Sequence, residues 1–166
     1  MAFLSKLSLW LNRIYLSLAM LLLAVLLAAS SVQIFSRYFF NVSQSWTEEV
    51  ARYCFIWSSL LGAVVLTKTK GHAVVDFLVK NFRGGLKTAH QLLLCAIIFA
   101  IGAVFIYKGF GLMGITAMQK SPSLKIPLSY VYLAMPMCGI GVCFHMISEA
   151  AELLFSKPSS AAAAKQ

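Results

Sequence analysis

Charged residues are scarce in this sequence, and acidic residues are the scarcest. Only 11% of the 166 residues are charged, and 5 aspartates and glutamates stand against 14 lysines and arginines. A water-soluble domain carries about 25% charged residues, because its surface must face water. The basic excess would suit nucleic acid, but 60% apolar residues favour insertion into a membrane, where basic residues mark the cytoplasmic side. The composition therefore predicts an integral membrane protein that binds no nucleic acid.

Cysteine pairs and clustered metal ligands are also missing. The four cysteines lie in apolar runs and form no CxxC pair, which disfavours a thiol–disulfide membrane enzyme and predicts small buried apolar residues. His72 and Asp76 are four positions apart, but two ligands are too few for a zinc site. Residues 109–114 match G-x-G-x-x-G, yet they follow an apolar span rather than a strand, which favours helix packing over nucleotide binding. We expect no enzyme activity and no cofactor in this chain.

The sequence contains long runs of uncharged, mostly apolar residues. About 20 helical residues cross the hydrocarbon core of a bilayer, and three runs reach that length. A fourth run is shorter, but Ser45 and Glu48 have the spacing of a capping box, which starts its helix earlier. Four transmembrane helices are therefore predicted within a membrane domain of residues 14–155, at residues 14–36, 45–67, 88–107 and 126–148.

The connection after the second predicted span has the periodicity of a helix. Its polar residues His72, Asp76, Lys80 and Arg83 recur every three or four positions, and apolar residues fill the other side. A basic polar face of this kind suits a helix that lies in the membrane interface. We predict an amphipathic arm helix over residues 72–83 whose polar face meets phospholipid. The fold class is then an all-α integral membrane protein with four transmembrane helices and an interfacial arm.

The distribution of basic residues predicts the orientation. Nine lysines and arginines lie in the N-terminal segment, the second connection and the C-terminal tail, against five in the first and third connections. Because basic residues accumulate on the cytoplasmic side, both termini are predicted to be cytoplasmic. Residues 1–13 form the N-terminal segment, and residues 156–166, which have low complexity, are expected to form a disordered tail.

The connections on the other side carry the remaining polar features. In the third, Pro122 and Pro127 bracket four residues, which predicts an extended chain before the last span. The first gathers two guanidiniums, two carboxylates and an indole near the interface, at Arg37, Trp46, Glu48, Glu49 and Arg52, and Trp57 continues an aromatic face from there towards the bilayer. The charged groups are candidates for a mutually compensating network, with Trp46 as its interfacial anchor. Two interpretations stay open: the group caps and anchors the helices, or it docks a partner.

The spans lack the equipment of a self-sufficient transporter. Such a protein places polar groups near the bilayer midplane or breaks its helices there. Here the first span has no ionisable residue, and His90 and His145 lie near predicted span ends, where their rings are expected to reach the interface. Pro136 predicts a single kink. The pattern favours an accessory or scaffold subunit over the alternative, a small four-helix multidrug exporter, which needs a carboxylate in its first span.

The order of these features resembles a known family, the small membrane subunit (DctQ-like) of tripartite ATP-independent periplasmic (TRAP) transporters. The resemblance runs from about Leu9 to Leu154. Its specific part is carried by Arg37, Trp46-Thr47-Glu48-Glu49, Arg52, Trp57, Gly62 and Gly71-His72 through Asp76.

That resemblance implies a scaffold for a large membrane subunit that carries the sodium and substrate sites. A periplasmic substrate-binding protein would deliver an organic acid, such as a C4-dicarboxylate or sialic acid, to the pair. The implied location is the bacterial inner membrane. Sodium ions are expected in the partner subunit and not in this chain.

Overall fold

The computed structural model of the chain describes residues 2–41, 44–79 and 85–155. These residues are almost entirely helical, in the order α1 Ala2–Phe40, α2 Ser45–Val79, α3 Gly85–Thr116, α4 Ser129–Tyr132 and α5 Ala134–Phe155. Four stretches are long and apolar enough to cross a membrane: Lys6–Phe40, Ser45–Thr69, Gln91–Thr116 and Ser129–Ala151. The prediction of an all-α protein with four transmembrane helices is confirmed.

Local chemistry explains how α1 ends and α2 begins. Asn41 follows α1 with a φ of 50°, and asparagine is one of the few residues that adopt this left-handed conformation readily at a helix C-terminus. α2 begins at Ser45, as the sequence predicted. The Thr47 hydroxyl donates to the Gln44 carbonyl at 2.7 Å. The side chain of Glu48, by contrast, binds Arg52 instead of closing the expected capping box in the described structure.

The last span is divided into α4 and α5 at Leu133. Proline has no N–H, so Pro136 cannot donate to the carbonyl four residues earlier, that of Tyr132. The flanking bonds persist, from the Leu133 N–H to the Ser129 carbonyl at 2.9 Å and from the Met137 N–H to the Leu133 carbonyl at 3.2 Å. The proline thus interrupts the helix near its start.

The predicted arm helix has no separate counterpart in the described residues. Residues 72–79 are the C-terminal part of α2, so the expected helical backbone is present up to Val79. Lys80 and Arg83 lie outside the described residues, as do the side chains of His72 and Asp76 and the whole tail 156–166. The interfacial position of the arm and its contact with phospholipid stay predictions.

The helices form a row rather than a closed square. α1 packs chiefly against α2 and makes a smaller contact with α5, α2 also contacts α5, and α5 packs chiefly against α3. The order across the row is therefore α1, α2, α5, α3. The last span is the most buried of the four, whereas the two edge helices leave long apolar faces exposed.

Glycines let the helices approach α5 from both sides. A Cβ on Gly139 would lie 2.6 Å from the carbonyl oxygen of Gly102 on α3, and a Cβ on Gly109 would lie 2.6 Å from Cδ of Pro136. On the other side of α5, a Cβ on Gly141 would lie 2.7 Å from Cγ1 of Val64 on α2. Small residues are the usual means of close helix packing in membranes.

Of the three glycines in segment 109–114, only the first takes part in close helix packing. The segment lies entirely within α3, without the strand-to-helix turn of a dinucleotide site. Gly109 contacts Met135 and Pro136, whereas Gly111 and Gly114 have open space where a side chain would be.

Candidate functional site

The carboxylate of Glu49 binds a distant segment of the chain through three hydrogen bonds. It lies on the first turns of α2 and is only 7% exposed. The Ser121 hydroxyl donates to Oε2 at 2.8 Å, the Leu124 N–H donates to Oε2 at 3.0 Å, and the Ser123 N–H donates to Oε1 at 2.9 Å. Because a buried charge is tolerated only when hydrogen bonds replace water, this carboxylate holds the segment between α3 and α4 against α2. We call Glu49, Ser121, Ser123 and Leu124 the Glu49 cluster.

The segment that Glu49 binds is a short hairpin rather than the extended chain predicted from Pro122 and Pro127. Lys120 and Pro127 form an antiparallel bridge. The Leu128 N–H donates to the Gln119 carbonyl and the Ser121 N–H to the Ile126 carbonyl, both at 2.9 Å. Proline disfavours helix at the residue before it, and the hydrogen bonds to the Glu49 carboxylate hold the chain folded back on itself. We call residues 119–128 the outer hairpin.

The adjacent acidic residue, Glu48, faces outward. Its Oε1 accepts a hydrogen bond from the Arg52 guanidinium at 2.7 Å, and the two side chains are 58% and 61% exposed. An exposed pair one helical turn apart contributes little to stability, about 0.3–0.5 kcal/mol. Neighbouring carboxylates therefore have different tasks: Glu49 fixes a loop, and Glu48 neutralises Arg52 on the surface.

The other members of the predicted charge network are not joined to it directly. Arg37 is exposed near the end of α1 and forms no ion pair with any described residue. Trp46 is exposed at the start of α2, and Trp57 is half-buried further along the helix. The structure thus brings Glu48 and Arg52 together and connects Glu49 to backbone and serine donors that the sequence pattern did not suggest.

A second buried polar cluster lies far from Glu49 along the helix axes, towards the other ends of the helices. His145 on α5 is 1% exposed, and its Nδ1 is 2.9 Å from the hydroxyl oxygen of Ser8 on α1. Ser8 precedes the end of α1 by 32 residues, or about 48 Å of helix, so this contact is far from Glu49. We call Ser8 and His145 the His145 cluster. The expectation that the His145 ring reaches the membrane interface was wrong, because α1 covers it.

Sequence reasoning missed both sets of partners for different reasons. Ser121 and Ser123 lie on either side of Pro122 in the loop that joins two spans, and two of the three donors to Glu49 are backbone N–H groups, which residue type does not reveal. Ser8 and His145 are 137 residues apart. No spacing rule relates them, since each is a single polar residue in an apolar run.

The described residues offer little that resembles a catalytic or ion-binding centre. No group of three or more histidine, cysteine or acidic side chains among them could hold a metal ion. Cys95, Cys138 and Cys143 are buried as predicted, whereas Cys54 is only partly buried, and all four cysteines are free thiols. The buried polar contacts instead join parts of this chain to one another.

Comparison with known proteins identifies the class. Residues 26–156 match the family described as tripartite ATP-independent periplasmic transporters, DctQ component. The chain is 27% identical to a putative TRAP transporter small permease protein of Haemophilus influenzae over 149 residues, which are 87% of this chain and 90% of the relative. It is 26% identical to the sialic acid TRAP transporter small permease protein SiaQ of Vibrio cholerae, over 80% of this chain and 77% of that protein.

A third relative is much longer. The chain is 29% identical over 93 residues to the isethionate TRAP transporter permease protein DctMQ of Oleidesulfovibrio alaskensis, covering 55% of this chain and 15% of that protein. Small subunits of the family pair with large permease subunits. With four helices able to span a membrane, the chain is a multi-pass inner-membrane protein, and the family is not enzymatic. This chain belongs to the DctQ family and is a TRAP transporter small permease subunit.

Proposed function

We propose that this chain is a scaffold for the large permease subunit in sodium-coupled, binding-protein-dependent uptake of an organic acid. The observation that carries the proposal is the use made of buried polar groups. Glu49 binds the outer hairpin, and Ser8 binds His145, so both fix helices of the same chain. A substrate or ion site needs polar groups turned towards a ligand, and the proposal assigns those, with the sodium ions, to the large subunit.

The arrangement of the helices is suited to a scaffold that packs against a larger subunit in the membrane. A row of helices has two edges and two faces, and here α1 and α3 expose long apolar surfaces. Such surfaces contact either lipid or a partner helix. In the isethionate relative, the matching region is a small part of a longer permease chain, which is consistent with a permanent association in the membrane.

The orientation follows from the basic residues. Nine lysines and arginines lie on the side of the termini and five on the other, so both termini are proposed to be cytoplasmic. The Glu49 cluster and the outer hairpin then lie at the periplasmic surface, and the His145 cluster lies towards the cytoplasm. The arm-helix residues His72, Asp76, Lys80 and Arg83 retain their proposed contact with phospholipid headgroups.

The residues of the first connection are proposed to contact the large subunit near the periplasmic surface. Arg37 is exposed and has no described ion-pair partner, and Trp46 is exposed beside the Glu48–Arg52 pair. Trp57 lies further along α2, nearer the bilayer, and is proposed to belong to the same contact. The substrate is proposed only as an organic acid, because the similar proteins are named for different ones, sialic acid and isethionate.

Reconstitution tests the function directly. The chain is placed in liposomes alone, with a large permease subunit, or with the large subunit and the soluble binding protein, and sodium-dependent uptake of labelled organic acid is measured. Uptake is expected only when all three proteins are present. Transport by the chain alone would refute the scaffold role and revive the small multidrug exporter, which the family membership does not favour.

A further inference from the structure

The outer hairpin has more internal order than a simple connection between two spans requires. We infer that it is a preformed docking surface for an acidic patch on the soluble substrate-binding protein. The inference rests on the proposed function, which supplies the periplasmic orientation and the existence of that partner. It goes further by naming the surface on this chain and the chemistry that it recognises.

The first observation is rigidity. Glu49 accepts three hydrogen bonds from the hairpin, and the bridge between Lys120 and Pro127 closes it. Lys125 has a φ of 56°, a left-handed conformation that a lysine adopts only when its surroundings hold it there. Its N–H donates to the Ser121 carbonyl at 3.1 Å. The backbone of the hairpin is therefore fixed before any partner arrives.

The second observation is the charge that the hairpin presents. Lys120 and Lys125 are exposed, and neither forms an ion pair with a described residue. The two carboxylates at this end of the described chain are both engaged, Glu48 with Arg52 and Glu49 with the hairpin. The charges left to attract a partner from solution are consequently positive, so the complementary surface is acidic.

The third observation is an apolar contact beside the lysines. Met118, immediately before the hairpin, is 95% exposed, and Ile126 within it is 39% exposed. Protein interfaces are enriched in methionine at their centres, and charges around them steer the encounter. A rigid loop also lowers the entropy lost on binding. Lipid headgroups need no such preorganised backbone, which favours a protein as the occupant over anionic phospholipid.

The test measures how much binding protein is needed for transport. The complex of this chain with the large subunit is reconstituted in liposomes of neutral lipid, and uptake is followed as the binding-protein concentration rises. In the variant with Lys120→Glu and Lys125→Glu, the half-saturating concentration is expected to increase by about tenfold at low ionic strength, while uptake at saturation is retained. The difference is expected to shrink at high salt.

Two further variants make the result interpretable. Lys6→Glu reverses a single lysine, half the charge change of the double variant, at the exposed, opposite end of α1 and is expected to leave the half-saturating concentration unchanged. If the double reversal reduces copurification with the large subunit, the neutral variant with Lys120→Gln and Lys125→Gln takes its place, with a smaller shift in the same direction.

The outcomes separate this inference from the function on which it rests. Absence of uptake by the unmodified complex would contradict the proposed function itself. Normal uptake with an unchanged half-saturating concentration in both hairpin variants would overturn the docking surface alone. A response to the variants that appears only in liposomes containing anionic lipid, at every concentration of binding protein, would assign the lysines to lipid and also overturn it.

Discussion

The two buried polar clusters stabilise the same helix row by different means. The Glu49 cluster joins a charged side chain to a neighbouring loop through three hydrogen bonds, two of them from backbone N–H groups. The His145 cluster joins two side chains on helices at opposite ends of the sequence through one contact of 2.9 Å. A charge taken from water needs several donors, whereas the His145 ring makes one hydrogen bond, at Nδ1, and its Nε2 has no hydrogen-bond partner among the described residues. The Glu49 cluster should therefore be the more sensitive to substitution.

The largest effect is expected for Glu49→Gln. The amide keeps one acceptor oxygen but points an NH2 group towards donors that now lack an acceptor, so the outer hairpin should detach from α2. We expect a lower unfolding temperature in detergent, weaker copurification with the large subunit and reduced uptake. Glu48→Gln is the matched control at the adjacent position. Equal losses in the two variants would contradict the different tasks that we assign to these carboxylates.

A smaller but clear effect is expected where α3 and α5 pack closely, at Gly102 and Gly139. Gly139→Ala would place a Cβ 2.6 Å from the carbonyl oxygen of Gly102, and overpacking of this kind costs about 1–3 kcal/mol. Thermal unfolding should show the loss of stability. Gly114→Ala, where the structure has open space, is the control and should be neutral. If both alanine variants unfold alike, α3 and α5 are not in close contact at Gly139.

The His145 cluster is expected to tolerate change better than the Glu49 cluster. Ser8→Ala removes the partner of His145 Nδ1, and hydrogen bonds between membrane helices contribute about 0.5–2 kcal/mol. A modest fall in the unfolding temperature is the expected measurement. Ser148→Ala serves as control, because its buried hydroxyl has no hydrogen-bond partner among the described residues. A larger fall for Ser148→Ala than for Ser8→Ala would show that the contact is misassigned.

The smallest effect is expected for the surface pair. Arg52→Gln should lower stability by no more than about 0.5 kcal/mol, because both side chains are well exposed and solvent screens them. Unfolding measured at low and high salt would show a difference only at low salt. A loss comparable to that of Glu49→Gln would mean that Arg52 also supports the hairpin.

Much of the fold was accessible from the sequence because membrane insertion depends on local composition. The lengths of the uncharged runs predicted three transmembrane helices, and the Ser45 pattern added the fourth by placing the start of α2. The sequence was insufficient where one side chain had two possible partners. The spacing of Glu48 suited a cap and also an ion pair with Arg52, and only the folded chain shows the pair.

The sequence by itself determined that this protein spans a membrane, because hydrophobic length and sparse charge are local properties of the chain. The motif from Arg37 to Asp76 was also sufficient to indicate a subunit that works with a larger transport protein, through its resemblance to a known family. Only the tertiary structure decided which polar groups meet. Glu49 contacts residues more than 70 positions away, and His145 contacts one 137 positions away. Such contacts depend on how the helices pack in a row, and packing is set by side-chain shape and by the close approach at Gly102, Gly109 and Gly139, which no local pattern encodes.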